Sequence, residues 1–139
     1  MSPDHLLSVD TSVAVPLLIA SHEAHDRVLA WAAGLSLTLC GHAVVETYSV
    51  LTRLPGGARV AAEDAIRLID ANFERRLALP QAEAEHCHRV LAKSGVEGGA
   101  TYDGLVALAA IHHGATLATR DARARTTYEA IGVPVVLVN

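Results

Sequence analysis

The first strand of the predicted fold lies in the segment His5-Leu6-Leu7-Ser8-Val9-Asp10-Thr11-Ser12. Its short apolar run, residues 6–9, is typical of a buried strand and ends in an acid followed by two hydroxyl residues. In an open α/β sheet, ligands bind beyond the carboxyl ends of the strands. We therefore expect Asp10 at the rim of a cleft. The structural alternative is that Asp10 caps the next helix, a role also open to Thr11 and Ser12.

The composition indicates a single globular domain over residues 1–139, since 51% of the residues are hydrophobic and a chain of this length buries a core. No apolar stretch is long enough to span a membrane, and no secretory leader is visible. The two cysteines show no CxxC pattern, which fits a reducing compartment, and we expect a cytoplasmic protein. The high apolar content predicts a surface that another chain covers.

The net charge of −4 does not exclude phosphate binding, which needs only a local basic patch. Of the 11 basic residues only Lys93 is a lysine, and arginine suits bidentate phosphate contacts. Arg120, Arg123 and Arg125 form the densest basic group. They either hold substrate phosphates or form a solvated helix face.

Strand and helix patterns alternate along the chain. The predicted strands cover residues 6–9, 35–39, 77–80, 115–118 and 133–138. The predicted helices cover residues 13–19, 22–33, 42–54, 60–73, 81–94, 101–113 and 121–131. This order implies an α/β fold, a three-layer α/β/α sandwich with a mostly parallel central sheet. The second strand alternates apolar and polar residues, as a half-exposed strand does.

Four acids occupy element ends that such a fold places at one edge of its sheet. Asp10 follows the first strand, Glu46 lies early in the helix after the second, Asp103 opens a buried helix, and Asp121 follows the fourth strand. Each acid alone is explained by the helix dipole. Together they would repel one another and resist desolvation unless a cation compensates them. Carboxylate oxygens suit Mg²⁺ or Mn²⁺.

Four motifs resemble those of the PIN-domain ribonucleases, and the likeness is greatest to the VapC toxins of bacterial toxin–antitoxin pairs. The motifs are Asp10-Thr11-Ser12, Ala43-Val44-Val45-Glu46, Tyr102-Asp103-Gly104-Leu105 and Thr119-Arg120-Asp121. Their order and spacing agree with the family over essentially the whole chain.

The resemblance implies a Mg²⁺- or Mn²⁺-dependent endoribonuclease that hydrolyses RNA with metal-activated water and leaves a 5′-phosphate. By the same resemblance, Asp10, Glu46, Asp103 and Asp121 hold one or two ions, with Asp10 and Asp103 as the main ligands. A cognate antitoxin, an RNA substrate and a homodimer are the implied partners. Some relatives carry a further acid just beyond Asp121, where this chain has Arg123, so the second ion stays open.

Further predictions concern hydroxyl, glycine and aromatic residues near these motifs. The Thr11 and Ser12 hydroxyls either orient a water or substrate or cap a helix. The glycine-rich segment 95–100 lacks the ending of a P-loop and is expected to border the cleft. Tyr102 is expected to pack rather than to stack on a base. Tyr128 lies at an apolar position of its predicted helix and is expected to pack in the core or in an interface.

Two other functions remain open. The first is a non-catalytic PIN-like module that binds RNA or protein. The second is a phosphoryl-transfer domain of the receiver or haloacid-hydrolase kind, which needs a second acid beside the first and a lysine near the cleft. The segment after Asp10 lacks that acid, and Lys93 is the only lysine. A zinc site at residues 86–88 is not expected, because no second ligand cluster matches it.

Overall fold

The computed structural model describes residues 5–139, and its elements alternate as the sequence predicts. The strands are β1 Leu7–Val9, β2 Leu37–Cys40, β3 Arg76–Leu77, β4 Thr116–Thr119 and β5 Val135–Leu137. The helices are α1 Thr11–Leu18, α2 His25–Ala32, α3 Ala43–Thr52, α4 Ala62–Asn72, α5 Gln81–Ala84, α6 Cys87–Lys93, α7 Thr101–His112 and α8 Ala122–Ile131.

The described strands form one sheet in the order β3-β2-β1-β4-β5, and every pair is parallel. Helix α1 packs on α2 and α3, and α3 packs on α4, whereas α7 packs on α6 and α8. Crossovers between parallel strands are right-handed, and the chain reverses direction across the sheet after β3. The helices before and after β3 therefore cover opposite faces. This confirms the predicted α/β sandwich with a parallel sheet.

Strand β2 is wholly buried, so the prediction of a half-exposed strand is wrong. It lies between β1 and β3 and is covered on both faces. Its polar residue is tolerated because the Thr38 hydroxyl donates to the Leu7 carbonyl oxygen at 3.1 Å. Ser8 of β1 donates in return to the Thr38 carbonyl oxygen at 3.2 Å. Both hydroxyls therefore donate to backbone carbonyl oxygens of the neighbouring strand instead of facing water.

The strand order creates a reversal point beside β1. The chain leaves β1 for β2 on one side, while β4 occupies the other side, with Val9 opposite Ala118. Open parallel sheets bind ligands at such a crevice beyond the carboxyl ends of their strands. Asp10 and Asp121 follow the two strands that flank it. The topology therefore brings together two acids that are far apart in sequence.

Two helix predictions need correction. Helix α1 begins at Thr11 and not at Val13, so Thr11 and Ser12 are helical residues rather than caps. The helix predicted over residues 81–94 divides into α5 and α6, because His86 leaves the helical backbone region at φ −117° and ψ 4°. No helix within residues 5–139 has the length and hydropathy needed to cross a membrane.

Gly41 joins β2 to α3 and sets the direction in which α3 leaves the sheet. Its φ of +55° lies in the left-handed region, and an added Cβ would stand 3.0 Å from the Ala109 Cβ and 3.1 Å from the Leu105 carbonyl oxygen. The close approach of α7 and the backbone conformation both require glycine at this position.

We predict that Gly41→Ala lowers the free energy of unfolding by about 1–2 kcal/mol from the left-handed backbone alone, with steric repulsion added. Urea denaturation measures this loss. Gly57→Ala is the matched control, because Gly57 is not in the left-handed region and an added Cβ there meets nothing within 4 Å. Equal stability of the two variants would contradict the role given to Gly41.

Candidate active site

A cleft of about 220 Å³ contains all four acids singled out in the sequence. It is lined by Asp10, Thr11, Ser12, Glu46, Asp103, Val106, Asp121, Ala124 and Tyr128. Each acid comes from the start of a helix: Asp10 and Asp121 precede the first residues of α1 and α8, and Glu46 and Asp103 lie in the first turns of α3 and α7. Four helix N-termini thus face one cleft, and their dipoles favour negative charge there.

Asp10 is the most enclosed of the four acids, with 5% of its surface exposed. Its Oδ2 accepts a hydrogen bond from the Tyr128 hydroxyl at 2.8 Å, and its Oδ1 accepts one from the Ser12 hydroxyl at 2.5 Å. The backbone carbonyl of Asp10 starts α1 by accepting from the Val13 and Ala14 amides. Side chain and backbone are therefore both fixed.

Burial raises the pKa of Asp10 above its ordinary value, and the hydrogen bonds from Ser12, Thr119 and Tyr128 oppose that rise. The pKa of Tyr128 is also raised, first by burial and then by the nearby Asp10 charge. Tyr128 accordingly remains a hydrogen-bond donor at neutral pH. Its donated bond offsets part of the cost of burying the Asp10 carboxylate.

The pKa of Asp103 depends in part on the other acids of the cleft. Its pKa is raised to about 6, first by burial and then by the charges of Glu46, Asp10 and Asp121. Repulsion from the other three carboxylates therefore adds to the effect of burial on the pKa of Asp103. A divalent cation would relieve this repulsion.

Asp121 has the structural role that a helix-terminal acid commonly has. Its Oδ1 accepts from the Arg123 amide at 2.9 Å and from the Ala124 amide at 3.4 Å, which caps α8. Its side chain nevertheless borders the cleft. Capping and cleft lining are compatible because the cap holds the carboxylate at the cleft rim.

Hydroxyl groups connect the acids to the sheet. The Ser12 hydroxyl lies 3.2 Å from the Thr119 hydroxyl and accepts from the Arg120 amide at 2.8 Å. The Thr11 hydroxyl lies 3.2 Å from that of Thr47, which is buried in α3. Ser12 therefore bonds to an acid of the cleft, and Thr11 joins α1 to α3.

The arginines predicted to contact substrate do not line the cleft, although they lie on the segment that follows β4. Arg125 pairs with Glu129 at 2.7 Å on the exposed face of α8. Arg123 is exposed, and the Nε atom of Arg120 is buried without a hydrogen-bond partner in the described part of the chain. Segment 95–100 also does not line the cleft, so the expectation that it forms the border is wrong. Its Val96 is buried near Gly104 of α7 instead.

The sequence interpretation missed two residues. Tyr128 was expected only to pack, but it is fully buried and its hydroxyl bonds to Asp10. The available signal was its spacing, since Asp121, Ala124 and Tyr128 repeat on one face of α8, and a buried tyrosine needs a partner for its hydroxyl. Tyr102 was also expected to pack, yet 54% of its surface is exposed.

The donor set of the cleft fits a hard divalent cation, because carboxylate and hydroxyl oxygens predominate and no thiol or imidazole from residues 5–139 lines it. Within residues 5–139, no three histidine, cysteine or acidic side chains already stand together in a finished metal-binding arrangement. Asp10, Glu46, Asp103 and Asp121 are the cleft residues that would hold such an ion.

Residues 7–130 match the PIN domain family. The chain is 58% identical over 131 residues to Ribonuclease VapC27 of Mycobacterium tuberculosis, covering 94% of this chain and 96% of that one. It is 42% identical over 134 residues to Ribonuclease VapC40 of Mycobacterium tuberculosis, covering 96% and 99%. The structure of FitAcB from Neisseria gonorrhoeae superposes with a TM-score of 0.70 at 26% identity, covering 94% and 96%.

The fold and the acidic cleft thus define a PIN domain, and the chain belongs to the PIN-domain family. Within that family it is a homologue of the VapC-type ribonucleases.

We predict that Asp103→Asn raises the melting temperature of the metal-free protein above pH 6. The pKa of Asp103 rises from an ordinary value near 3.8 to about 6 on folding. Between these pH values the folded chain keeps a proton that the unfolded chain releases, so stability is lost as pH increases. Asparagine avoids that loss.

Calorimetric melting in EDTA checks this, and the advantage of the variant over the unaltered protein should shrink as the pH falls toward 4. Asp26→Asn is the control, because Asp26 is an exposed acid in the first turn of α2, outside the cleft. A lower melting temperature for Asp103→Asn at pH 8 would contradict the repulsion described here.

Proposed function

We propose that this chain is a Mg²⁺- or Mn²⁺-dependent endoribonuclease and the toxin of a toxin–antitoxin pair. The observation that carries the proposal is the convergence of Asp10, Glu46, Asp103 and Asp121 on one cleft. The 58% identity of this chain to Ribonuclease VapC27, over nearly the whole of both chains, supports the choice of RNA as substrate. A cytoplasmic location follows from this proposal.

The roles of the acids follow from their surroundings. Asp10 and Asp103 would be the main metal ligands, Glu46 would reach the ion directly or through water, and Asp121 would act from the rim. A divalent ion bound there lowers the pKa of water and neutralises charge on a phosphodiester. Ser12 and Tyr128 hold the Asp10 carboxylate in one orientation, so no reorganisation is needed when a cation arrives.

The proposed partners are a cognate antitoxin, RNA and a second copy of the chain. Support comes from an apolar groove of about 370 Å³ between the α5–α6 segment and α7, with Val90 and Ile111 exposed at 45% and 40%. Exposed apolar side chains that share one groove favour a surface that another protein covers.

The competing function is a PIN-like module that binds RNA without cutting it. Such a module has no need to bring four mutually repelling acids together, and the charges of the other three acids add to burial in raising the pKa of Asp103. The absence of divalent-ion binding would favour the module.

RNA cleavage in the presence of Mn²⁺ tests the proposal. We expect Asp10→Asn and Asp103→Asn to reduce cleavage to the level of the unaltered protein in EDTA, while Asp26→Asn cleaves normally. The folds of all variants are compared by circular dichroism. Full cleavage by either cleft variant, or cleavage in EDTA, would overturn the proposed mechanism.

We predict further that Tyr128→Phe weakens Mn²⁺ binding by about 10- to 100-fold, the usual cost of losing a group that orients a metal ligand. The substitution keeps the ring that fills the core and removes only the hydroxyl that contacts Asp10. Isothermal titration calorimetry measures the dissociation constant. Tyr48→Phe on α3, an exposed tyrosine outside the cleft lining, is the control. An unchanged dissociation constant for Tyr128→Phe would show that the hydrogen bond does not position Asp10.

A further inference from the structure

Two aromatic side chains, His42 and Tyr102, stack on each other outside the lining of the acidic cleft. The rings of His42 and Tyr102 lie 5.0 Å apart between centroids, with 27° between their planes, which is a stacked arrangement. His42 precedes the first residue of α3, and Tyr102 lies in the first turn of α7. The pair therefore bridges the two helices that supply Glu46 and Asp103.

Each residue of the pair lies one helical turn before a residue that lines the cleft. His42 is four residues before Glu46, and its carbonyl accepts a hydrogen bond from the Glu46 amide at 3.0 Å. Tyr102 is four residues before Val106, which lines the cleft. Residues four apart share a helix face and are separated by about 6 Å along the axis. A nucleotide whose phosphate enters the cleft has its own or a neighbouring base within reach of Tyr102.

The exposure of Tyr102 shows that it does little for the core. Its exposed fraction of 54% contrasts with Tyr128, which is fully buried. His42 supports the ring on one side and limits its rotation. An exposed aromatic ring that is already held in one orientation loses little entropy when it binds a flat partner.

Charge also favours a base over a phosphate as the ligand of this surface. The cleft is acidic, and Arg120, Arg123 and Arg125 do not line it. Stacking does not depend on charge, and unpaired bases in single-stranded RNA stack readily on tyrosine and histidine rings.

We propose that Tyr102, supported by His42, is a stacking platform for a nucleobase of single-stranded RNA next to the phosphate that enters the cleft. The platform rests on the proposed ribonuclease function and deepens it, because it restricts the substrate to RNA with an unpaired base at this position. Tyr102 is a binding residue and takes no part in the chemistry.

The first test is binding of a short, fluorescently labelled single-stranded RNA by anisotropy in EDTA, which prevents cleavage. Tyr102→Ala should weaken binding by about 10- to 100-fold, the range for loss of one stacking side chain. Tyr102→Trp should bind at least as tightly as the unaltered protein. Tyr48→Ala, which removes an exposed tyrosine from α3 outside the cleft, should leave binding unchanged.

The second test is photo-cross-linking with the same RNA carrying 5-iodouridine, followed by mass spectrometry. The platform predicts a cross-link at Tyr102 that disappears in Tyr102→Ala. The melting temperature and Mn²⁺ affinity of this variant should match those of the unaltered protein, which separates lost stacking from a damaged fold.

Normal RNA binding by Tyr102→Ala, with cross-links elsewhere, would overturn the platform while RNA cleavage by the unaltered protein still upheld the proposed function. A change of sedimentation instead of RNA binding would also overturn it, because Tyr102 would then contact a second copy of the chain. If the unaltered protein neither binds nor cleaves RNA, the proposed function fails and the platform fails with it.

Discussion

The burial of the Asp10 carboxylate is the constraint on which the rest of the cleft depends. A carboxylate with 5% of its surface exposed is costly unless it is hydrogen-bonded. Two hydroxyl donors that are far from each other in the sequence, Ser12 on α1 and Tyr128 on α8, offset this cost. Because Tyr128 is also a core residue, the packing of α8 fixes the position of the hydroxyl that orients the Asp10 carboxylate. Disturbing either is expected to disturb the other.

The parallel sheet brings together residues that are far apart in the sequence, which local hydrogen bonds cannot do. Strands β1 and β4 pair in register, so Asp10 and Thr119 come together although 109 positions separate them in the chain. Gly41 lets α7, which carries Asp103, lie close to the turn after which α3 and Glu46 begin. Four helix dipoles then point at the same place. The fold thus concentrates negative charge at a place where a cation would be stabilised, and this charge adds to the effect of burial in raising the pKa of Asp103.

Much of this architecture was predictable because its signals are local. The run before Asp10, the acids at the starts of helices, and the alternation of strands with helices indicated a parallel sheet with an acidic edge before any coordinates were known. Non-local features were not predictable. Strand order emerges only from packing, β2 looked half-exposed because nothing in its own sequence shows that Thr38 bonds across to β1, and the Tyr128 contact spans 118 residues. The stacking of His42 on Tyr102 is likewise a meeting of two helices rather than a property of either.

We propose that the four acids of this cleft together bind a divalent ion. Crystals of the protein soaked with Mn²⁺, with diffraction data collected at the manganese absorption edge, test this most directly, since anomalous scattering locates the ion without reference to activity. We predict an anomalous peak bounded by Asp10, Glu46 and Asp103, and loss of that peak in crystals of Asp10→Asn. An empty cleft beside manganese bound elsewhere on the chain would contradict it.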